Sequence, residues 1–406
     1  MHTTKNTKDQ PRRTRRTRRK PFEFLLRDLR VLRGVIFATF VVGAMMTNNG
    51  HAVVQIFDGP GLPFRLETRP LPETLRPGEV LVKMGLATVC GSDLHTTSGQ
   101  RDTPVPCVLG HEAVGRVVHV GSARSGLPLQ TRVSWSVVDS CGTCVACRQH
   151  HLPAKCHALF KYGHAALSDG SGLNGCYATH VLLRPGTHIA RVADTIPDVV
   201  AAPANCALAT MVNVVSQVPA PCETVVVQGA GLLGLYGCAL LRERGVAQVF
   251  CVDPSERRLE HVPLFGGTPI AGDVAQYTTA RQQILAGAPD GVDAVIEVAG
   301  VPSVVAEGVR LLRPGGFYAL AGMVHPDSAL QITGEEIIRK CLTIRGIHNY
   351  SPVHLDQALA FLAQTIDKYP YESLVSPAFE LADLGNALQM AASHRFLRVA
   401  IDGAVQ

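Results

Sequence analysis

The chain has 406 residues, long for one hydrophobic core and natural for two. Its formal charge of +5 is uneven: residues 1–45 carry 12 of the 38 Lys/Arg and 3 of the 33 Asp/Glu, which leaves 26 against 30 in the remainder. The body is thus mildly acidic, which argues against nucleic acid as a partner. The 12 cysteines fit metal and core positions in a reducing, cytoplasmic setting better than a disulfide framework.

Taken in chain order, residues 1–46 form a distinct extension. Arg12–Lys20 is a basic run without apolar partners and reads as disordered. Gly34–Met46 follows as an apolar stretch of 13 residues, short of the roughly 20 that span a bilayer, so no membrane partner is expected. Basic run plus apolar segment resembles a signal or transit sequence, although no A-x-A site follows. The alternative, which we prefer, is that translation starts at Met45 or Met46.

From His51–Phe57 to about residue 205, short strands such as Glu79–Met84 and Ala113–Val120 alternate with Gly/Pro/Asp turns, predicting a mostly β domain. At Thr224–Gln228 the pattern changes. A continuous apolar strand leads through glycines into a helix over Leu232–Arg244 and a second strand at Gln248–Asp253. Further strands are predicted at Ala294–Val298 and Phe317–Ala321. Strand, helix, strand at this spacing predicts a doubly wound parallel sheet, so the fold class is α/β. A helix over Leu355–Lys368 and a strand at Leu397–Ile401 close the chain.

Three constellations carry chemistry. Gly229, Gly231 and Gly234 form G-x-G-x-x-G between a strand and a helix, the context in which backbone N–H groups cradle a pyrophosphate. Asp253, 19 residues beyond Gly234 at the end of the next strand, suits the adenosine ribose and favours NAD, with Arg257 and Arg258 close behind. Cys141, Cys144, Cys147 and Cys156 form C-x2-C-x2-C-x8-C, which reads as a closed structural zinc site. An iron–sulfur cluster is the alternative; disulfides are disfavoured because cysteines so close cannot pair without strain. Finally, Cys90, His95, His111 and Glu112 stand among glycines within about two dozen residues, donor types that suit a zinc site.

In this order, the glycine-flanked block, the four-cysteine loop and the NAD motif resemble the zinc-dependent alcohol dehydrogenases of the medium-chain dehydrogenase/reductase family. The resemblance covers about residues 50–406. It implies a GroES-like catalytic domain over 47–207 and 348–406, interrupted by a Rossmann domain over 208–347. Cys90 and His111 would then be catalytic-zinc ligands, Glu112 a mobile carboxylate beside the metal, and Asp93 the group that orients His111. Cys206, in Ala202–Cys206 with Thr210 four residues on, matches the cysteine form of the third ligand; a buried helix cysteine is the plain alternative. Ser92 and His95 match the proton relay, a helix cap being the alternative for His95. Thr210, Arg258 and Arg398 are expected at the cofactor, Arg398 on its pyrophosphate.

The implied activity is hydride transfer between a small-molecule alcohol and NAD, with two zinc ions per chain in a homo-oligomer, commonly a dimer or tetramer. The chain departs from the pattern in the last gap of the cysteine loop, one residue longer than usual. Leu159–His164, Ser134–Ser136 and Ala201–Cys206 resemble a bacterial subgroup associated with phosphonate catabolism. That resemblance suggests a hydroxyalkyl phosphonate as substrate, with Lys161, His164 or Arg101 holding the anion; solvated loop basics are the plain alternative. Polyol and cyclic-alcohol oxidation by the same family, and a noncatalytic zinc-binding scaffold, are the alternatives. A zinc-free quinone reductase of the superfamily would lack Cys90 and the cysteine loop.

Overall fold

Alternating buried apolar residues make the first part of the body a set of strands, with His51–Phe57 buried from Ala52 to Phe57. The computed structural model describes residues 50–168, 170–272 and 277–403; the extension at 1–46, with its basic and apolar runs and its alternative start, lies outside the described residues. Val80–Thr88 pairs antiparallel with Glu112–Val120, which pairs in turn with Arg132–Asp139. The end of the chain returns to this sheet: Ala400–Asp402 lies antiparallel against Val80–Thr88, with Ala400 opposite Thr88. Sequence-distant segments thus meet beside Cys90.

Residues 224–346 build a second, all-parallel sheet. Its six strands run in the order Thr268–Ala271, Gln248–Asp253, Thr224–Gln228, Val292–Glu297, Leu312–Leu320, Thr343–Gly346. This is the doubly wound arrangement, in which ligands bind beyond the carboxyl ends where the strand order reverses. The helix Ala207–Ser216 packs with Leu232–Glu243 and Pro352–Thr365 in one apolar cluster that includes Leu208, Met211, Leu235, Ala239, Leu355 and Leu359. A separate core holds Trp135, Tyr162 and Tyr177 among the antiparallel strands.

Most predicted elements stand within a few residues of their expected places, and two differ for visible reasons. The late helix spans Pro352–Thr365, starting at a Ser351 cap with Pro352 in its first turn, where a missing N–H costs nothing. The last strand is Ala400–Asp402, because Leu397 and Arg398 both donate their N–H groups to Leu374 O in a loop crossing.

The glycine motif has the geometry its residues require. Gly229 has φ +109°, open space surrounds Gly231 at the cap of Leu232–Glu243, and a Cβ on Gly234 would sit 1.8 Å from Gly229 O. Gly234→Ala should therefore destabilise the fold by about 3 kcal/mol or more, the strain having only backbone to push against. Gly231→Ala should leave thermal stability nearly unchanged and weaken NADH binding. Melting curves and NADH fluorescence titrations check both.

Candidate metal and cofactor site

Cys90 caps the short helix Gly91–Thr97, and Asp93 closes the cap by accepting from the Cys90 N–H at 2.9 Å. His111 and Glu112 enter where Glu112–Val120 begins, and Cys206 precedes the helix Ala207–Ser216. From these three segments, Cys90, His111, Glu112 and Cys206 bring donor atoms that all lie within 4.8 Å of one another. Asn205, fully buried, fastens the third segment to the second: its amide donates to His111 O and to Trp135 O, each at 2.9 Å. Tyr350 in turn donates its hydroxyl to Asn205 O.

The charge balance of this cluster fits a soft divalent cation. A hydrogen bond with Cys206 pulls the Cys90 thiol well below its ordinary range against burial, aided by Arg398 and His111, while the same bond pushes Cys206 well above it. Burial pushes His111 down, but Asp93 and Cys90 together overcome it and hold the imidazole up at about 10. His111 Nδ1 faces Asp93 Oδ1 at 3.5 Å, long for a hydrogen bond, and neither atom has another partner. Two thiols and an imidazole converging in this way match zinc donors, and Asp93 stands where it would orient the histidine. Tyr177 holds Asp93 from behind, donating to Oδ2 at 2.8 Å.

Glu112 is fully buried and accepts from Thr88 Oγ1 at 2.7 Å and from Arg398 Nε at 2.8 Å and Nη2 at 3.1 Å. Burial lifts its carboxyl to about 7 against the pull of Arg398. Arg398 Nη1 donates to Leu397 O, and Nη2 also lies 3.9 Å from Cys90 Sγ. The guanidinium neutralises the buried carboxylate, which needs a charged partner.

Ser92 and His95 lie three apart on Gly91–Thr97 and so share a face. Ser92 Oγ is 3.4 Å from His111 Nε2, and His95 is exposed with Nδ1 2.6 Å from Gln100 Oε1. One end of this pair stands at the metal donors and the other at solvent.

The four remaining cysteines gather on the loop 141–156. Cys156 Sγ is 3.4 Å from Cys141 and 3.9 Å from Cys144, which is 3.5 Å from Cys147. Sulfurs about 2.3 Å from a zinc stand ~3.8 Å apart at the corners of a tetrahedron, so the loop is already shaped for the ion. N–H groups of Thr143 and Cys144 point at Cys141 Sγ, and hydrogen bonds from Thr143 bring that thiol down to about 5.

At the second sheet, Asp253 ends Gln248–Asp253 and is nearly buried. Its Oδ2 accepts from Ala230 N at 2.8 Å and its Oδ1 from Ser255 N at 2.9 Å, which ties the carboxylate to the glycine turn. Arg258 Nη1 stands 3.8 Å from Asp253 Oδ2. Arg257 and Arg258 line a cavity of about 290 Å³ with Ser255, His261 and Arg395. Thr210 is half-buried one turn into the helix after Cys206.

Comparison with known proteins agrees with this geometry. Residues 76–194 match the alcohol dehydrogenase GroES-like domain, and residues 233–364 match the zinc-binding dehydrogenase domain. An L-threonine 3-dehydrogenase of Saccharopolyspora erythraea is 30% identical over 366 residues, 88% of this chain and 100% of that protein. A 5-exo-hydroxycamphor dehydrogenase of Pseudomonas putida is 28% identical over 337 residues, 80% of this chain and 92% of that protein. The crystal structure of an alcohol dehydrogenase from Thermotoga maritima superposes with a TM-score of 0.82 at 28% identity, covering 87% of this chain and 99% of its own. The chain belongs to the zinc-dependent alcohol dehydrogenases of the medium-chain dehydrogenase/reductase family, oxidoreductases acting on CH–OH groups with zinc and NAD(P).

Asn205, Tyr177, Thr88 and Tyr350 were not singled out from the sequence. Each is an ordinary polar residue whose role exists only through a partner 24 to 145 positions away. Arg398→Gln, which strands Glu112 as an unpaired buried carboxylate, should cost about 3–5 kcal/mol, and adding Glu112→Gln should recover most of it. Denaturant melts of the three proteins measure the cycle.

Proposed function

We propose that this protein oxidises a small secondary alcohol with NAD, a hydroxyalkyl phosphonate being among the candidate substrates. The observation that carries the reading is the convergence of Cys90, His111 and Cys206 from three distant segments onto one point. These three residues would hold a zinc with a fourth position left for substrate, and Cys141, Cys144, Cys147 and Cys156 would hold a second, closed zinc. Bound zinc supplies Lewis acidity toward the alcohol oxygen, and NAD supplies the hydride acceptor.

The chain's own residues do the rest. Ser92, beside His111 Nε2, is placed to take the hydroxyl proton, and exposed His95 on the same helix face to pass it to solvent. Asp93 fixes the ring of His111, and Glu112 stands beside the ligands with its charge balanced by Arg398. Gly229, Gly231 and Gly234 would admit the pyrophosphate, Asp253 the adenosine ribose, and Thr210, Arg258 and Arg398 would complete the cofactor site. We assign residues 47–207 and 348–406 to the catalytic domain and 208–347 to the cofactor domain.

Six of the 12 cysteines gather in metal-type clusters, which supports a reducing, cytoplasmic setting. A homo-oligomer is supported by the edge strand Thr343–Gly346 and by Ile338, Val324 and Leu330, exposed on the same portion of the chain. Among the described residues no single helix is long and apolar enough to cross a membrane.

An alcohol panel monitored by NADH absorbance tests the reading: turnover of at least one secondary alcohol is expected. Binding of zinc and NADH without turnover of any alcohol would leave the scaffold reading instead. Cys90→Ser should lower kcat/KM at least ~10³-fold, since Lewis-acid stabilisation is worth several kcal/mol. Asp253→Ser should shift the NAD-to-NADP preference toward NADP about tenfold or more, measured as the ratio of kcat/KM values, because it removes the carboxylate that repels a ribose phosphate.

A further inference from the structure

Residues 347–351 cross from the carboxyl end of the strand Thr343–Gly346 to the start of the helix Pro352–Thr365. Each of them is fastened to a neighbour. Ile347 N donates to Leu320 O at 2.9 Å, at the carboxyl end of the adjacent strand. Asn349 O accepts from Asn213 Nδ2 at 2.8 Å, on the helix that follows Cys206. Asn349 is left-handed, with φ +58°, a conformation asparagine tolerates better than most residues, and it turns the crossover sharply just before Tyr350. His348 and Ser351 add surface contacts to the cysteine loop, at Lys155 Nζ and His151 O.

Tyr350 is the inner anchor. Its ring is buried, and its hydroxyl accepts from Val137 N at 3.2 Å while donating to Asn205 O. Asn205 donates back to Trp135 O at 2.9 Å, two residues before Val137 on the same strand. Strand, crossover and the turn before Cys206 are thus locked in one buried ring of hydrogen bonds. A tyrosine that served packing alone needs a single partner for its hydroxyl, whereas this one commits both donor and acceptor to backbone groups beside the metal donors.

The outer end of the crossover faces the place for a cofactor. Ligands of a doubly wound sheet lie beyond its carboxyl ends. There a cavity of about 470 Å³ is lined by Leu320, Ala321, Met323, Gly346, Ile347 and His348. Whatever fills this cavity rests on the crossover two residues from Tyr350. Close-packed interiors transmit strain, and a segment tied at every residue has little slack to absorb it. Displacement at Ile347 is therefore delivered to Asn205, whose next neighbour in the chain is Cys206.

We propose that Tyr350 is a positioning residue for the third metal donor, and that the crossover 347–351 couples occupation of the cofactor site to the placing of Cys206. The proposal rests on the dehydrogenase reading above for the identity of cofactor and metal. The coupling is reciprocal: metal at Cys90, His111 and Cys206 strengthens NADH binding by the same factor by which NADH strengthens metal binding.

NADH titrations by fluorescence test it. Zinc-loaded wild type is compared with wild type stripped of the three-donor zinc by brief chelation, and the ratio of the two Kd values is the coupling factor. That factor should be about 5 or more in wild type, and Tyr350→Phe should bring it to within about twofold of one. General loosening of the variant would change both Kd values alike and leave their ratio where it was. Cobalt in place of zinc gives a second reading: NADH should shift the sulfur-to-metal absorption in wild type and shift it less in Tyr350→Phe. Should Tyr350→Phe fail to fold, Asn213→Ala, which unfastens Asn349, is read in the same way.

An unchanged factor in the variant, or a wild-type factor near one, overturns the coupling, and alcohol turnover by the same protein would leave the dehydrogenase reading standing. A Tyr350-dependent factor without turnover of any alcohol sinks that reading and keeps the coupling.

Discussion

The buried ion pair between Glu112 and Arg398 is the contact on which the arrangement of the site rests. The partners are 286 positions apart and almost completely withdrawn from water. Each charge costs several kcal/mol to bury alone, and the two-point contact, with Thr88 also donating to Oε2, is what makes the burial tolerable. Because the pair must form, the end of the chain must return to the antiparallel sheet. It does so as Ala400–Asp402 against Val80–Thr88, the strand that leads directly into Cys90. The carboxylate beside the metal donors and the closure of the sheet are therefore one structural event.

The metal donors depend on a second set of buried polar contacts. Cys206 follows a tight turn, and Asn205 carries that turn onto His111 O and Trp135 O, so the third thiol is placed by the residue before it. Tyr177 and the Cys90 N–H hold Asp93, which faces the imidazole. His111 and Cys206 are thus each held by a buried polar neighbour. The four-cysteine loop is organised differently, by N–H groups of its own backbone aimed at sulfur, as suits a segment with little core beneath it.

Much of this was legible in the sequence because it is written locally. The G-x-G-x-x-G turn, the cysteine spacing and the pairing of Cys90 with His111 within 21 residues are short-range patterns with one dominant physical explanation. Strands His51–Phe57, Thr224–Gln228 and Gln248–Asp253 are continuous or alternating apolar runs and stand at their expected bounds. What could not be read was long-range. Nothing near Arg398 signals Glu112, so this ion pair across 286 positions emerged only from the fold. Asn205 and Tyr177 are polar residues in apolar surroundings, and only tertiary contact distinguishes such residues from satisfied core polars.

The central claim is that Cys90, His111 and Cys206 form one metal site although Cys206 lies about a hundred residues from the others. Zinc content per chain in Cys206→Ala, compared with wild type, tests it most directly. Two zinc ions in the wild type and one in the variant, with the cysteine loop still loaded, is the predicted result. A Cys206→Ala protein that keeps both ions would contradict the account.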